Sequence, residues 1–487
     1  MVFASYEFVF VFLPIVIVVY YLLSRFTRLF VMQHIFLVFA SLYFYAYFNF
    51  SYIKIIIGSI LINYICARVL AHEKKEQPLG GNLGKKGEGR KIILVLGVLF
   101  NVLLLGYYKY YDFFITNINN AFNTHFALHR ILLPLGISFF TFQQLSFLIA
   151  IYNKSEKLGS FTDYCLFVTF FPQLVAGPIV LYSEMMPQFS DARRRSLNLE
   201  NFSKGMFIFV MGLFKKIVVA DSVALFVNNG FALPSLGFGL AWATSLSYTL
   251  QLYFDFSGYS DMAIGMGKMF NIDLPVNFNS PYKSKSVTEF WRRWHITLGR
   301  ALSTFIYIPL GGNRKGLKRT LFNLLIVFFV SGLWHGADWT FIIWGMFHGA
   351  MVLVERNVGE KLEQIPNIFR LAFTFLYVNA LWVLFRAENF AEAMKIYRGM
   401  LDFGNWDISS ISSLAMDGIV NFPVKVGVVY VFALLLFLYM VVFITQNSIK
   451  QAELFERNCV TAFFTSALFV LSTIHMSRLS VFIYFNF

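Results

Sequence analysis

The chain has 487 residues, of which 58% are apolar or aromatic, with 60 Phe and 25 Tyr, and only 14% are charged. Soluble domains run about 45–50% apolar and about 25% charged, so a soluble enzyme, a disordered chain and a disulfide scaffold are excluded, whereas roughly ten to twelve spans of about 20 residues can be supplied. The net charge of +14 fits cytoplasmic loops facing anionic lipid and calls for no nucleic-acid partner.

Taken in chain order, the first predicted spans are 8–24, 30–48 and 52–70. No Lys or Arg precedes Arg25, so the first run is a span and not an ordinary cleavable signal. Residues 71–91, rich in Gly, Lys and Arg, read as a flexible cytoplasmic loop, which puts the N-terminus outside. Spans 92–111 and 134–152 follow. The piece 163–181 has basic flanks on both sides and FPQLVAGPI (171–179) at its centre, so a broken or re-entrant element is expected there. Spans near 205–227 and 239–267 lead to the polar segment 268–319, with ten Lys or Arg against Asp273 and Glu289. The apolar stretch 321–354 breaks at GLWHGAD (332–338), giving a second bent pair. Span 371–385 exits; residues 402–423 carry acids but no Lys or Arg and belong outside; spans 424–445 and 459–482 leave the C-terminus outside. The apolar runs are continuous and not alternating ten-residue segments, which argues against a membrane β-barrel. The fold expected is an all-α polytopic membrane protein, one membrane-embedded domain over 1–487 without an internal repeat.

Among eight histidines, His335 stands out, because it lies in an apolar stretch between Gly332 and Gly336, beside Trp334. An ionisable group at membrane depth is costly and marks a functional site by default. His295 lies in EFWRRWHITLGR (289–300), where Trp291, Trp294, Leu298 and Leu302 share one side of an expected amphipathic interfacial helix. His348 follows His335 by thirteen residues, but without HExxH spacing no metal is expected. Cys66, Cys165 and Cys459 are scattered and form neither a disulfide framework nor a CxxC site. The run YIPLGGNRKG (307–316) offers glycines with Arg314 and Lys315, a weak anion-binding signal that fails as a P-loop; Arg292 and Arg293 are competing cations. No GxSxG elbow is present. Two classes fit these residues: a membrane-embedded acyl or glycosyl transferase, or a transporter or flippase for an envelope precursor. A transporter usually adds ion-coupling carboxylates, for which only Asp221, Asp255 and Asp261 are candidates.

Together GLWHGADWTFIIWG, EFWRRWHITL and YIPLGGNR resemble the membrane-bound O-acyltransferase (MBOAT) family, in its bacterial alginate O-acetyltransferase-like branch. PLGISFFTFQQLSFLIAIY (134–152), FPQLVAGPI (171–179), FDFSGYSDMAIGMGKMF (254–270) and the terminal FIYFNF (482–487) extend the resemblance over essentially the whole chain. It implies a helical bundle around a transmembrane tunnel, with His335 and His295 as the catalytic histidines. It also implies acetyl-CoA or a carrier-protein thioester as donor, with no bound cofactor, and a separate periplasmic SGNH-type acetyltransferase as partner. The terminal motif implies Tyr484 as the acyl carrier, against the plainer role of an aromatic-belt anchor. Membrane lipids are further partners, the location is the bacterial inner membrane with both termini periplasmic, and the final acceptor is an envelope polysaccharide. Alginate-type relatives commonly carry an acidic-aromatic stretch where this chain has GRALSTFIYIPLGG (299–312), which leaves alginate-like exopolysaccharide and peptidoglycan both open; D-alanylation of teichoic acid fits less well.

Overall fold

The computed structural model describes residues 1–25, 30–72, 83–406, 408–415, 424–478 and 482–483. The described residues are helical, with turns and short irregular links, and contain no β-strand. Six helical stretches among them are long and apolar enough to cross a membrane: Glu7–Ser24, Tyr52–His72, Glu88–Phe122, Leu317–His335, Asn367–Arg386 and Lys425–Ile444. Shorter apolar helices are Val31–Ala46, Ile137–Tyr152 and Cys459–His475. The chain divides into two compact units, 1–206 with 263–275, and 207–262 with 276–487.

The first unit is built on aromatic packing. Phe8, Phe12, Phe44, Phe171 and Phe270 interlock with ring centroids 5.3–6.1 Å apart, for example Phe12 and Phe171 edge-on at 5.3 Å and Phe171 and Phe270 at 5.9 Å. The broken element expected at 171–179 is present. The Phe161–Thr169 helix stops at Phe170, because Pro172 lacks the N–H that would continue it and its ring would meet the carbonyl four residues back. Side chains satisfy the freed backbone groups: Ser41 Oγ accepts from Phe171 N–H at 3.1 Å, and Gln173 Nε2 donates to Phe167 O at 2.8 Å. Such compensation is what allows irregular backbone in apolar surroundings. The loop expected over 71–91 is shorter than the sequence indicated, since the Leu83–Leu105 helix already begins at Leu83.

In the second unit the Leu317–His335 and Trp339–Glu363 helices form the bent pair, broken at Gly336–Asp338. Asp338 caps the second helix by accepting Thr340 N–H at 2.9 Å. A side chain on Gly332 would collide with the Phe341 carbonyl, so glycine is what lets the two helices touch. The single amphipathic helix expected over 289–300 is two helices, Val287–Arg293 and Ile296–Leu302, separated by extended Trp294 and left-handed His295. The span expected near 205–227 carries a π turn at Lys215–Ala220, and a Phe390–Met400 helix precedes the acidic segment expected over 402–423.

Candidate active site

His295 occupies the break between the two short helices, at φ 47° and ψ 50°, and is only 1% exposed. A non-glycine residue there costs about 1–2 kcal/mol and needs support from its surroundings. Asn277 supplies it. Its Oδ1 lies 3.2 Å from His295 Nδ1 and accepts from Thr297 N–H at 3.2 Å and Thr297 Oγ at 2.9 Å, while its backbone carbonyl accepts Ile296 N–H at 3.0 Å. Because Oδ1 is an acceptor, Nδ1 of His295 carries the proton and Nε2 carries the lone pair. Burial, and then the neighbouring His335, push the His295 imidazole well below the ordinary histidine range, so it is neutral at pH 7.

His335 ends its helix at the second break, 2% exposed. Its Nδ1 is 2.6 Å from the Ser331 carbonyl oxygen, which can only accept. The same tautomer follows, with Nε2 as the basic nitrogen. The two imidazole centroids are 6.4 Å apart and near perpendicular. Trp334, Trp344 and Phe385 pack on His335 at 5.0, 4.9 and 5.5 Å, and Phe256 packs on His295 at 4.8 Å. His348 is fully buried behind Trp344, its ring 5.1 Å from that of Trp344, and neither of its ring nitrogens has a hydrogen-bond partner. Among the described residues no three His, Cys, Asp or Glu side chains gather as a metal ligand set.

A cavity of about 780 Å³ lies in the same unit, lined by neighbours of the pair and by neither histidine. Its wall includes Ile296, next to His295, and Ser331, whose carbonyl holds His335. Arg292, Arg300, Arg356 and Arg370 also line it, with Trp291 and Tyr307. Two carboxylates, Glu355 and Glu363, are also on its wall, and Glu355 accepts Val287 N–H at 2.6 Å, Thr288 N–H at 2.8 Å and Thr288 Oγ at 2.7 Å. Of the cations named from sequence, only Arg292 is on this wall. Arg293 is paired with Glu289 at 2.7 Å, and Arg314 and Lys315 lie in an exposed turn away from the lining. Arg300, Arg356, Arg370 and Asn277 were not singled out from sequence. The basic-segment signal covers Arg300, but Arg356 and Arg370 lie beyond 319, and nothing in the sequence around Asn277 marks it.

The three carboxylates that a transporter would use are each held by lysine. Lys216 Nζ contacts Asp221 Oδ1 at 2.7 Å and Asp255 Oδ1 at 2.8 Å, and Lys215 Nζ contacts Asp261 Oδ2 at 2.7 Å. Tyr484 lies outside the described residues. Phe482, two residues before it, is buried and stacked on Tyr259 at 4.3 Å, with the Phe256 ring 6.0 Å away.

The profile of the membrane-bound O-acyltransferase family matches residues 127–385, a stretch that contains both histidines. The chain is 40% identical to a peptidoglycan O-acetyltransferase of Helicobacter pylori, over 99% of this chain and 96% of that protein. It is 39% identical to a probable alginate O-acetylase of Pseudomonas putida, over 86% of this chain and 84% of that protein. A teichoic acid D-alanyltransferase of Streptococcus thermophilus is more distant, 29% identical over 47% of this chain and 59% of that protein.

Proposed function

The chain belongs to the membrane-bound O-acyltransferase family, and from that premise we propose that this acyltransferase passes an acetyl group from cytoplasmic acetyl-CoA across the bacterial inner membrane for O-acetylation of an envelope polysaccharide. The observation that carries the chemistry is the matched pair of buried imidazoles. Each has its Nδ1–H committed to a fixed oxygen, so each Nε2 is a proton acceptor in an apolar cage.

In the proposed first step His335 Nε2 takes the proton of an attacking hydroxyl. The hydroxyl oxygen bonds to the acyl carbon, the C–S bond breaks, and the departing thiolate receives the proton from His335. His295, one ring away, orients the donor or the hydroxyl. The attacking group is the phenol of Tyr484 in the terminal FIYFNF. A phenol with a pKa of about 10 leaves an ester more readily than a sugar alkoxide does, which suits an intermediate carrier. In the second step a hydroxyl of a periplasmic SGNH-type partner attacks the aryl ester and returns the phenol. Coenzyme A carries several phosphate charges, and the arginines of the 780 Å³ cavity, Arg292, Arg300, Arg356 and Arg370, match them better than the exposed Arg314 and Lys315. Near-complete coverage by the peptidoglycan O-acetyltransferase supports peptidoglycan as the polymer; an alginate-like polysaccharide is the second reading, supported by 39% identity over 86% of the chain.

The test is acyl transfer from radiolabelled acetyl-CoA by the purified protein. His335→Ala is expected to lose about 10²-fold or more, and His295→Ala several-fold, with both proteins inserted and folded. Wild-type transfer by His335→Ala removes the base from the scheme. Muropeptide analysis of a deletion strain assigns the polymer: loss of O-acetylated muramic acid supports peptidoglycan, and unchanged muropeptides with deacetylated exopolysaccharide support the second reading.

A further inference from the structure

The mechanism above leaves one buried charged group unused, the lysine–carboxylate network around the π turn Lys215–Ala220. Lys216 and Asp255 are 3% and 1% exposed. Lys216 is shared between two carboxylates, Asp221 through Oδ1 and Asp255 through Oδ1. One ammonium therefore faces two negative charges, and Asp255 needs a further donor for its other oxygen. That donor comes from the far end of the chain: the backbone N–H of Ile483 donates to Asp255 Oδ2 at 2.9 Å, across 228 positions of sequence. The preceding residue, Phe482, is buried and lies flat on Tyr259, four residues on from Asp255 along the same helix. Between them on that helix stands Phe256, whose ring is 6.0 Å from Phe482 and 4.8 Å from His295.

The placement of Asp255 is itself built in. A Cβ on Gly258 would stand 2.7 Å from the Gly212 carbonyl and 3.1 Å from Lys216 N, so only glycine there lets the Phe238–Met269 helix come close enough for Lys216 to reach Asp255. A buried carboxylate that is half-neutralised by its lysine draws in a backbone N–H more strongly than a neutral acceptor does. The amide it has drawn in is the one immediately before Tyr484.

We propose that Asp255, held by Lys216, is the dock for the C-terminal tail: it captures the Ile483 amide and so fixes, one ring away from His295, the point from which Tyr484 leaves. This rests on the reading of Tyr484 as the acyl carrier. Asp255 touches neither donor nor reacting atoms and is a positioning residue. One hydrogen bond and one stacked ring make the hold reversible, as a carrier that must travel to a second protein requires.

Ile483→Pro tests it in the full-length protein, because proline deletes the donated N–H and leaves every side chain of the ion network in place. Ile483→Ala keeps the N–H and serves as the control. Two readouts are taken on each protein. The first is the rate at which a carboxypeptidase removes the terminal residues, and the second is the yield of acetylated C-terminal peptide by mass spectrometry after exposure to acetyl-CoA. Ile483→Pro is expected to speed trimming about tenfold and cut tail acetylation about tenfold, with Ile483→Ala within twofold of wild type on both. Asp255→Asn, which weakens the acceptor, is expected to fall between them. Wild-type protection and wild-type acetylation in Ile483→Pro overturn the dock. Faster trimming in Ile483→Pro, together with full transfer activity in Tyr484→Phe, leaves the dock standing and removes the carrier reading.

Discussion

Replacing Asn277 by Ala tests whether the geometry of His295 matters as argued. Asn277 Oδ1 serves the His295 ring, Thr297 N–H and Thr297 Oγ at 2.9–3.2 Å, and the carbonyl bond to Ile296 N–H survives the change. Each lost hydrogen bond is worth about 1 kcal/mol net, and a buried donor left without an acceptor costs about 1–3 kcal/mol. Two buried N–H groups, those of His295 and Thr297, lose this acceptor, while the hydroxyl can turn elsewhere. The local cost is therefore about 2–6 kcal/mol, falling on a turn that already stores about 1–2 kcal/mol at His295. Freed from Oδ1, the ring loses its tautomeric lock, and the fraction of molecules presenting a basic Nε2 drops. The assay is steady-state transfer from acetyl-CoA alongside thermal denaturation in detergent. A fall in kcat of about tenfold or more with little change in donor KM is expected, with a lowered denaturation midpoint. Asn277→Asp keeps the acceptor but sets a carboxylate beside the imidazole, which raises its pKa, so the acid limb of the rate profile should move to higher pH. Asn277→Ala with wild-type kcat and stability, or an Asp variant with an unmoved profile, refutes the clamp.

Three further outcomes follow from the same geometry. Arg300→Glu or Arg356→Glu should raise the apparent acetyl-CoA KM by about tenfold, whereas Arg314→Glu should leave it within about twofold; equal responses would mean that the donor's phosphates are not held in the cavity. Tyr484→Phe keeps the ring and removes the proposed nucleophile, so transfer to the polymer should vanish while donor binding, measured by equilibrium dialysis, persists. His295 has a folded-state pKa below its unfolded value of about 6.5, so the stability it contributes is fully present above that pH and is lost as pH falls, at up to about 1.4 kcal/mol per unit. Denaturation midpoints at pH 7.5 and 5.5 should differ less in His295→Gln than in wild type; an identical difference would mean that the ring is not the titrating group.

The sequence makes the helical membrane class plain, because composition and run length alone decide it, and the two backbone breaks are marked by Pro172 and by Gly332 and Gly336. His335 is legible for the same reason: an imidazole in an apolar run is conspicuous. His295 is legible as a residue but not in its setting. A continuous 3.6-residue pattern of Trp and Leu hides the left-handed turn, which is imposed by Asn277 from outside the helix. Arg356 and Arg370 join the cavity through tertiary packing, and each looks in sequence like an ordinary cation flanking a span. Asp255 was visible as a carboxylate at depth, yet its partners lie 39 residues before it and 228 after it, a distance no local pattern reports.

Glu355 carries a consequence beyond its hydrogen bonds. Its two carboxylate oxygens are taken up by the opening of the Val287–Arg293 helix, where the exposed N–H groups already concentrate positive potential. One of the two wall acids is therefore turned toward a helix end, and the wall holds four arginines, Arg292, Arg300, Arg356 and Arg370, to two carboxylates, Glu355 and Glu363. On the proposed reading, selection at this cavity would act on the portion of the donor that never reacts. If acetyl-CoA is the donor, as proposed, a neutral thioester bearing the same acetyl group would meet the same histidines without the attraction of those arginines, and the acyl carrier would be chosen by its handle before the carbonyl reaches Nε2.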